Sequence, residues 1–86
     1  MSDALAPLRA KFVARCAEDL AIVRAGPSEP ELPRVIHRLA GVSGMFGFDD
    51  LGVLAQRLDA QDTGPSEGDL ALLARALEAA VGVQPR

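Results

Sequence analysis

Residues Arg34 to Asp59 read RVIHRLAGVSGMFGFDDLGVLAQRLD. At about 100° per residue, Val35, Ile36, Leu39, Val42 and Phe46 fall on one helical face. After the turn signal Gly47-Phe48-Asp49, a second helix carries Leu51, Leu54, Ala55 and Leu58 inward. Two amphipathic helices with so short a connection lie antiparallel and side by side. This hairpin is the framework on which the rest of the chain packs.

His37 is the only histidine in the protein. On its helix it points almost directly away from Leu39, so the imidazole is expected to face water. Gly41 and Gly44 follow four and seven residues on, which places both on the surface beside the ring. A glycine inside a helix costs about 0.5–1 kcal/mol relative to alanine, and an exposed face is ordinarily filled with Glu, Lys, Gln or Ala. Two glycines next to a histidine leave room for another molecule to bring its backbone close. Arg34 and Arg38 flank His37, with Met45 on the same side. Two guanidinium groups there are suited to neutralise an incoming phosphoryl group.

Outside the hairpin the pattern is again helical. A first helix is expected from about Asp3 to Ala25, capped by Ser2 or Asp3, with Pro7 in its first turn. Leu5, Leu8, Phe12, Cys16, Leu20 and Val23 form its apolar stripe, and Arg9, Lys11, Arg15, Glu18 and Asp19 occupy the remaining faces. Gly26-Pro27 ends it. Ser28 and Glu31 have the spacing of a capping box for a second helix from about Pro30 to Phe46, with Pro33 near its first turn. Asp49 or Asp50 is placed to cap the third helix, which is expected to run to about Gln61. A turn, Asp62-Thr63-Gly64-Pro65-Ser66, leads to a fourth helix ending near Val81, with Ser66 and Asp69 as cap. Leu70, Leu73, Leu77 and Val81 are its stripe, Ala74, Ala76 and Ala80 allow close packing, and residues 82–86 are expected to fray. The fold class is therefore all-α, an antiparallel up-and-down four-helix bundle, in one domain spanning residues 1–86.

Composition agrees and narrows the function classes. Apolar residues make up 49% of the chain, largely alanine and leucine, and the only aromatics are three phenylalanines. The net charge is −3, and the eight arginines and one lysine form no cluster, so nothing offers the basic stripe that nucleic acid requires. The lone Cys16 allows neither an internal disulfide nor a cysteine metal cluster and is expected as a buried apolar residue. One histidine with scattered carboxylates makes no metal-ligand shell. No apolar run reaches the roughly 18 residues of a membrane span, no basic amphipathic face points to a membrane surface, and no signal peptide is read. The expectation is a cytoplasmic protein, and its narrow apolar stripes favour a monomer.

The hairpin also brings a carboxylate towards the histidine. His37 lies eleven residues before Phe48 and Asp59 eleven after it, so the two stand at the same height on antiparallel helices. A carboxylate accepting from Nδ1–H would fix the ring's tautomer and leave Nε2 free as a nucleophile. Geometry alone leaves open whether Asp59 reaches the ring or is simply solvated.

The residues His37-Arg38-Leu39-Ala40-Gly41, then Phe46-Gly47-Phe48, Leu51 and Leu58-Asp59, resemble the signature of histidine-containing phosphotransfer (HPt) domains. The resemblance covers residues 37–59 in register, within the matching four-helix context. It implies a phosphorelay intermediate. His37 would accept a phosphoryl group from an aspartyl phosphate on a response-regulator receiver domain, including those of hybrid histidine kinases, and pass it to another receiver. Gly41 would keep the imidazole accessible, and Asp59 would stand where the family usually has Glu or Gln. Met45, Val53 and the glycines would contact the receiver.

The resemblance also implies a phosphocarrier without catalytic activity of its own. No cofactor is expected, and the Mg²⁺ would be supplied by the partner receiver. The sequence departs from the family pattern at Ala40, where a lysine is usual, and at Asp59, one methylene shorter than Glu. The Ala40 departure gives an alternative: a phosphorylation-independent helical adaptor that binds receiver or kinase domains.

Overall fold

The computed structural model describes residues 4–82. Four helices follow one another: α1 (Ala6–Arg24), α2 (Leu32–Val42), α3 (Asp49–Asp59) and α4 (Glu67–Gly82), with a 3-10 turn over Gly44–Phe46 between α2 and α3. All regular structure among the described residues is helical. The helices form an antiparallel up-and-down bundle in which α2 packs along α3 and α1 along α4, with sparser contacts from α3 to α4 and from α1 to α2.

Prolines decide where two of the helices begin. Pro7 lies in the first turn of α1, where its missing N–H is harmless. The expected caps Ser2 and Asp3 lie outside the described residues. At α2 the capping box of Ser28 and Glu31 is not formed: the helix starts at Leu32, and Glu31 precedes it with no side-chain cap. A start at Ser28 would put Pro33 inside the helix, where its ring removes an i→i−4 hydrogen bond. A start at Leu32 puts Pro33 in the first turn.

The α2–α3 turn also differs from expectation. α2 stops at Val42 instead of running to Phe46. The Ser43 carbonyl accepts from both Phe46 N–H and Phe48 N–H, and Gly47 adopts φ +88°, a left-handed conformation that glycine enters without steric cost. Phe48 occupies the cap position of α3, so Asp49 and Asp50 do not cap it. They fall in its first turn, where carboxylates complement the helix dipole. α3 ends at Asp59, not Gln61. The α4 cap forms as the spacing implies: Asp69 N–H donates to Ser66 Oγ and Ser66 N–H to Asp69 Oδ2, each at 3.0 Å. Of residues 82–86, expected to fray, Gly82 is the last residue of α4, and 83–86 lie outside the described residues.

The core joins Phe12, Val13, Cys16 and Val23 of α1 to Leu32, Val35, Ile36 and Leu39 of α2, the α3 residues Leu51, Ala55 and Leu58, and the α4 residues Leu70, Leu73, Leu77 and Ala80. The three phenylalanines gather at one end of the bundle. Phe12 lies 5.1 Å from Phe46 and 5.5 Å from Phe48, ring centre to ring centre, tying α1 to the α2–α3 turn. Because Phe12 already meets that turn, the stretch of α1 before it extends past the hairpin. Leu5 and Leu8, although on the core-facing side, are therefore 38% and 50% exposed.

One residue assigned to the solvent face is buried. Asp19 is seven residues from Phe12 and three from Cys16, which places it on the core-facing stripe. It is sealed from water and receives a hydrogen bond from Arg38 Nη2 at 2.5 Å. An isolated carboxylate would be costly there, and the guanidinium compensates it.

Candidate functional site

Helices α2 and α3 cross in a fixed register. His37 faces Asp59, Gln56 Nε2 donates to the Ala40 carbonyl at 3.3 Å, and Gly44 backs onto Gly52. These pairs lie eleven, eight and four residues on either side of Phe48. The close crossing depends on Gly52: a Cβ there would stand 3.3 Å from Gly44 N and 3.5 Å from Ser43 Cβ. The apolar faces of both helices thus fix the height of every polar residue between them.

Within this register the His37 side chain is 80% exposed, and its Nδ1 lies 3.0 Å from Asp59 Oδ2. A carboxylate has only acceptor oxygens, so Nδ1–H donates in this contact, and in the neutral ring that tautomer leaves the lone pair on Nε2. An exposed pair of this kind adds about 0–1 kcal/mol to stability. Its consequence is orientation and tautomer, not folding.

Gly41, one turn beyond His37, is exposed, and a Cβ at this position would meet nothing within 4 Å. Nothing in the fold requires a glycine there, and no side chain stands at that position one turn beyond the ring. Gly44 differs. It lies beyond the end of α2, in the 3-10 turn against Gly52, and is not a neighbour of the ring on one helical surface. The early end of α2 is the reason.

The two flanking arginines separate. Arg34 is 83% exposed, and its nearest acidic partner is Glu31 at 3.8 Å, a weak pair one turn back. Arg38 is turned inward to Asp19, with only 27% of its side chain exposed, and is not a free cation beside the ring. Moving it would leave a buried carboxylate unpaired. Ala40, partly buried against the core, brings no charge. Met45 and Val53 are 63% and 67% exposed, two large apolar side chains on the hairpin surface. Two site neighbours lie beyond the sequence reading: Asp19, the partner that fixes Arg38, and Gln56, which lies across α2 at Ala40. An acid on an otherwise apolar stripe is the sequence signal for the first. The second has none.

Among the described residues no group of three His, Cys, Asp or Glu converges to hold a metal ion, and no helix is long and apolar enough to cross a membrane. The site is thus a single exposed imidazole, oriented from below by a carboxylate and open on the side of Gly41. A family model described as the Hpt domain matches residues 7–82. The chain belongs to the Hpt domain family. No curated protein and no solved structure matches it. The Hpt match spans all four helices of the bundle, and its histidine phosphotransfer chemistry is the frame in which the site is to be understood.

Proposed function

We propose that this Hpt protein is a phosphorelay intermediate that takes a phosphoryl group onto His37 from the aspartyl phosphate of one receiver domain and delivers it to another. The observation that carries this reading is the His37–Asp59 contact at 3.0 Å beneath an otherwise exposed imidazole. In the transfer the Nε2 lone pair attacks phosphorus in line. The P–N bond forms as the P–O bond to the receiver's aspartate breaks, and that carboxylate leaves as the anion. The ring keeps its proton on Nδ1, and Asp59 accepts from the cationic ring that results. The reverse step expels the neutral imidazole and regenerates an aspartyl phosphate.

Phosphoryl transfer of this kind depends on alignment and charge neutralisation more than on protein acid–base chemistry. His37, held by Asp59, supplies alignment. Arg34 supplies the one exposed guanidinium beside it on α2, while Mg²⁺ and further positive charge belong to the receiver. Gly41 admits the receiver's backbone, and Met45 and Val53 offer apolar contact around it. The protein acts as a carrier and has no catalytic activity of its own.

The test uses receiver domains loaded with acetyl phosphate and Mg²⁺, freed of donor, then mixed with the protein or its His37→Gln variant. Acid-labile, alkali-stable phosphate on the wild type alone is the expected result. A phosphorylation-independent adaptor remains the second reading, favoured by Ala40 and by the commitment of Arg38 to Asp19. It predicts no transfer to either protein, with equal receiver binding by both.

A further inference from the structure

A cleft of about 130 Å³ opens beside Asp59, between the start of α2, the end of α3 and the loop leading to α4. Its apolar lining is Pro33, Ile36, Leu58 and Pro65, and Asp59 and Thr63 are among its polar lining. Ile36 and Leu58 are core residues, so the floor is fixed by the packing of the bundle. Two further walls are prolines, whose rings lock φ. The cleft is therefore preformed, and filling it orders little of this chain.

Its size indicates the occupant. Small-molecule sites run from about 300 Å³ upwards, whereas an apolar cavity of about 150 Å³ holds one benzene. This cleft takes a single apolar side chain. Its position indicates where that side chain comes from. Asp59 both lines the cleft and is the partner of His37, so the cleft adjoins the place where a phosphoryl group would be presented to the ring. Gly64 lines the cleft as well. Its φ is not positive, and a Cβ there would meet nothing within 4 Å. As at Gly41, the fold does not require glycine, and the missing side chain leaves space.

We propose that this cleft selects the partner, by receiving one apolar side chain from the receiver domain whose aspartate exchanges phosphoryl with His37. The inference rests on the phosphorelay reading above. It assigns to Pro33, Leu58, Gly64 and Pro65 an anchor pocket of the kind that carries most of the binding energy in an interface.

The experiment compares wild type with Gly64→Leu and, as a second filling variant in the same loop, Thr63→Phe. Both are checked by thermal melting. Transfer is measured from the receivers encoded in the same genome, each loaded with acetyl phosphate. Loading of His37 by phosphoramidate, which has no docking surface, is measured alongside. The expected result is a fall of at least tenfold in kcat/KM with the cognate receiver, carried by KM, while phosphoramidate loading stays within twofold of wild type. Unchanged kcat/KM for a folded variant with every receiver overturns the pocket and leaves the phosphorelay reading intact. Failure of wild type to take phosphate from any receiver overturns both.

Discussion

Arg38 is where the structure and the sequence pattern disagree most usefully, and replacing it with alanine separates them. The guanidinium meets Asp19 at 2.5 Å, with 2% of the acid's side chain and 27% of the arginine's exposed. The second carboxylate oxygen, Oδ2, is buried without a partner. In Arg38→Ala the acid is left buried and uncompensated, which costs about 3–5 kcal/mol. The arginine's partial exposure lets water reach the vacated space, so a loss near 3 kcal/mol is expected. For a domain of this size each kcal/mol shifts Tm by about 4–8 °C, giving a fall of roughly 12–24 °C. Replacing both partners, Asp19→Leu with Arg38→Met, removes the unpaired charge and should bring stability within about 1 kcal/mol of wild type. Circular dichroism melts on the three proteins test this. Transfer assays run well below each Tm should give rates within threefold of wild type for both variants. An Arg38→Ala protein that melts like wild type yet loses transfer tenfold would show that Arg38 serves the phosphoryl group and not the fold.

The glycines give a contrasting pair. Gly41→Gln should fold as well as wild type or gain about 0.5–1 kcal/mol from helix propensity, yet lose transfer by obstructing the ring; transfer at the wild-type rate would remove the steric role. Gly52→Ala gains similar propensity but sets its Cβ 3.3 Å from Gly44 N. Overpacking there costs about 1–3 kcal/mol, so a urea titration should show net destabilisation. Asp59→Ala should leave stability within about 1 kcal/mol and slow transfer about tenfold, with ¹⁵N NMR showing a smaller Nδ1–H population. Burial, reinforced by Asp19 and partly offset by Arg38, pushes the Cys16 thiol up from 9.0 to about 11. Between those values the unfolded chain loses this proton while the folded one keeps it, so stability falls as pH rises. Below pH 9 the contribution is fully present, and by pH 11 roughly 2–3 kcal/mol is lost. Cys16→Ala should lack this component when the two are titrated with urea across the range.

The hairpin was legible because its determinants are local. Apolar residues at helical spacing set both faces, and Phe48 as the midpoint set the register that brings His37 to Asp59. Periodicity also placed His37 outward. What periodicity could not show was the competition at the helix ends. Pro33 overrode the Ser28 capping box, and the double use of the Ser43 carbonyl ended α2 before Gly44. Those are tertiary and steric choices between signals that look equal in sequence. Arg38 was misplaced for a related reason. Its partner is nineteen residues away on α1, and only the packed bundle brings them together. The HPt resemblance was legible in residues 37–59, the segment that the site itself occupies, and the family match extends it to residues 7–82.

The central claim is that Nε2 of His37 carries the phosphoryl group while Nδ1 stays protonated against Asp59. The most direct measurement is ³¹P and ¹⁵N NMR of the protein phosphorylated by a loaded receiver. The account predicts a phosphorus coupling to Nε2 of His37, with the Nδ1 proton retained. Phosphorus on Nδ1, or on a residue other than His37, would contradict it.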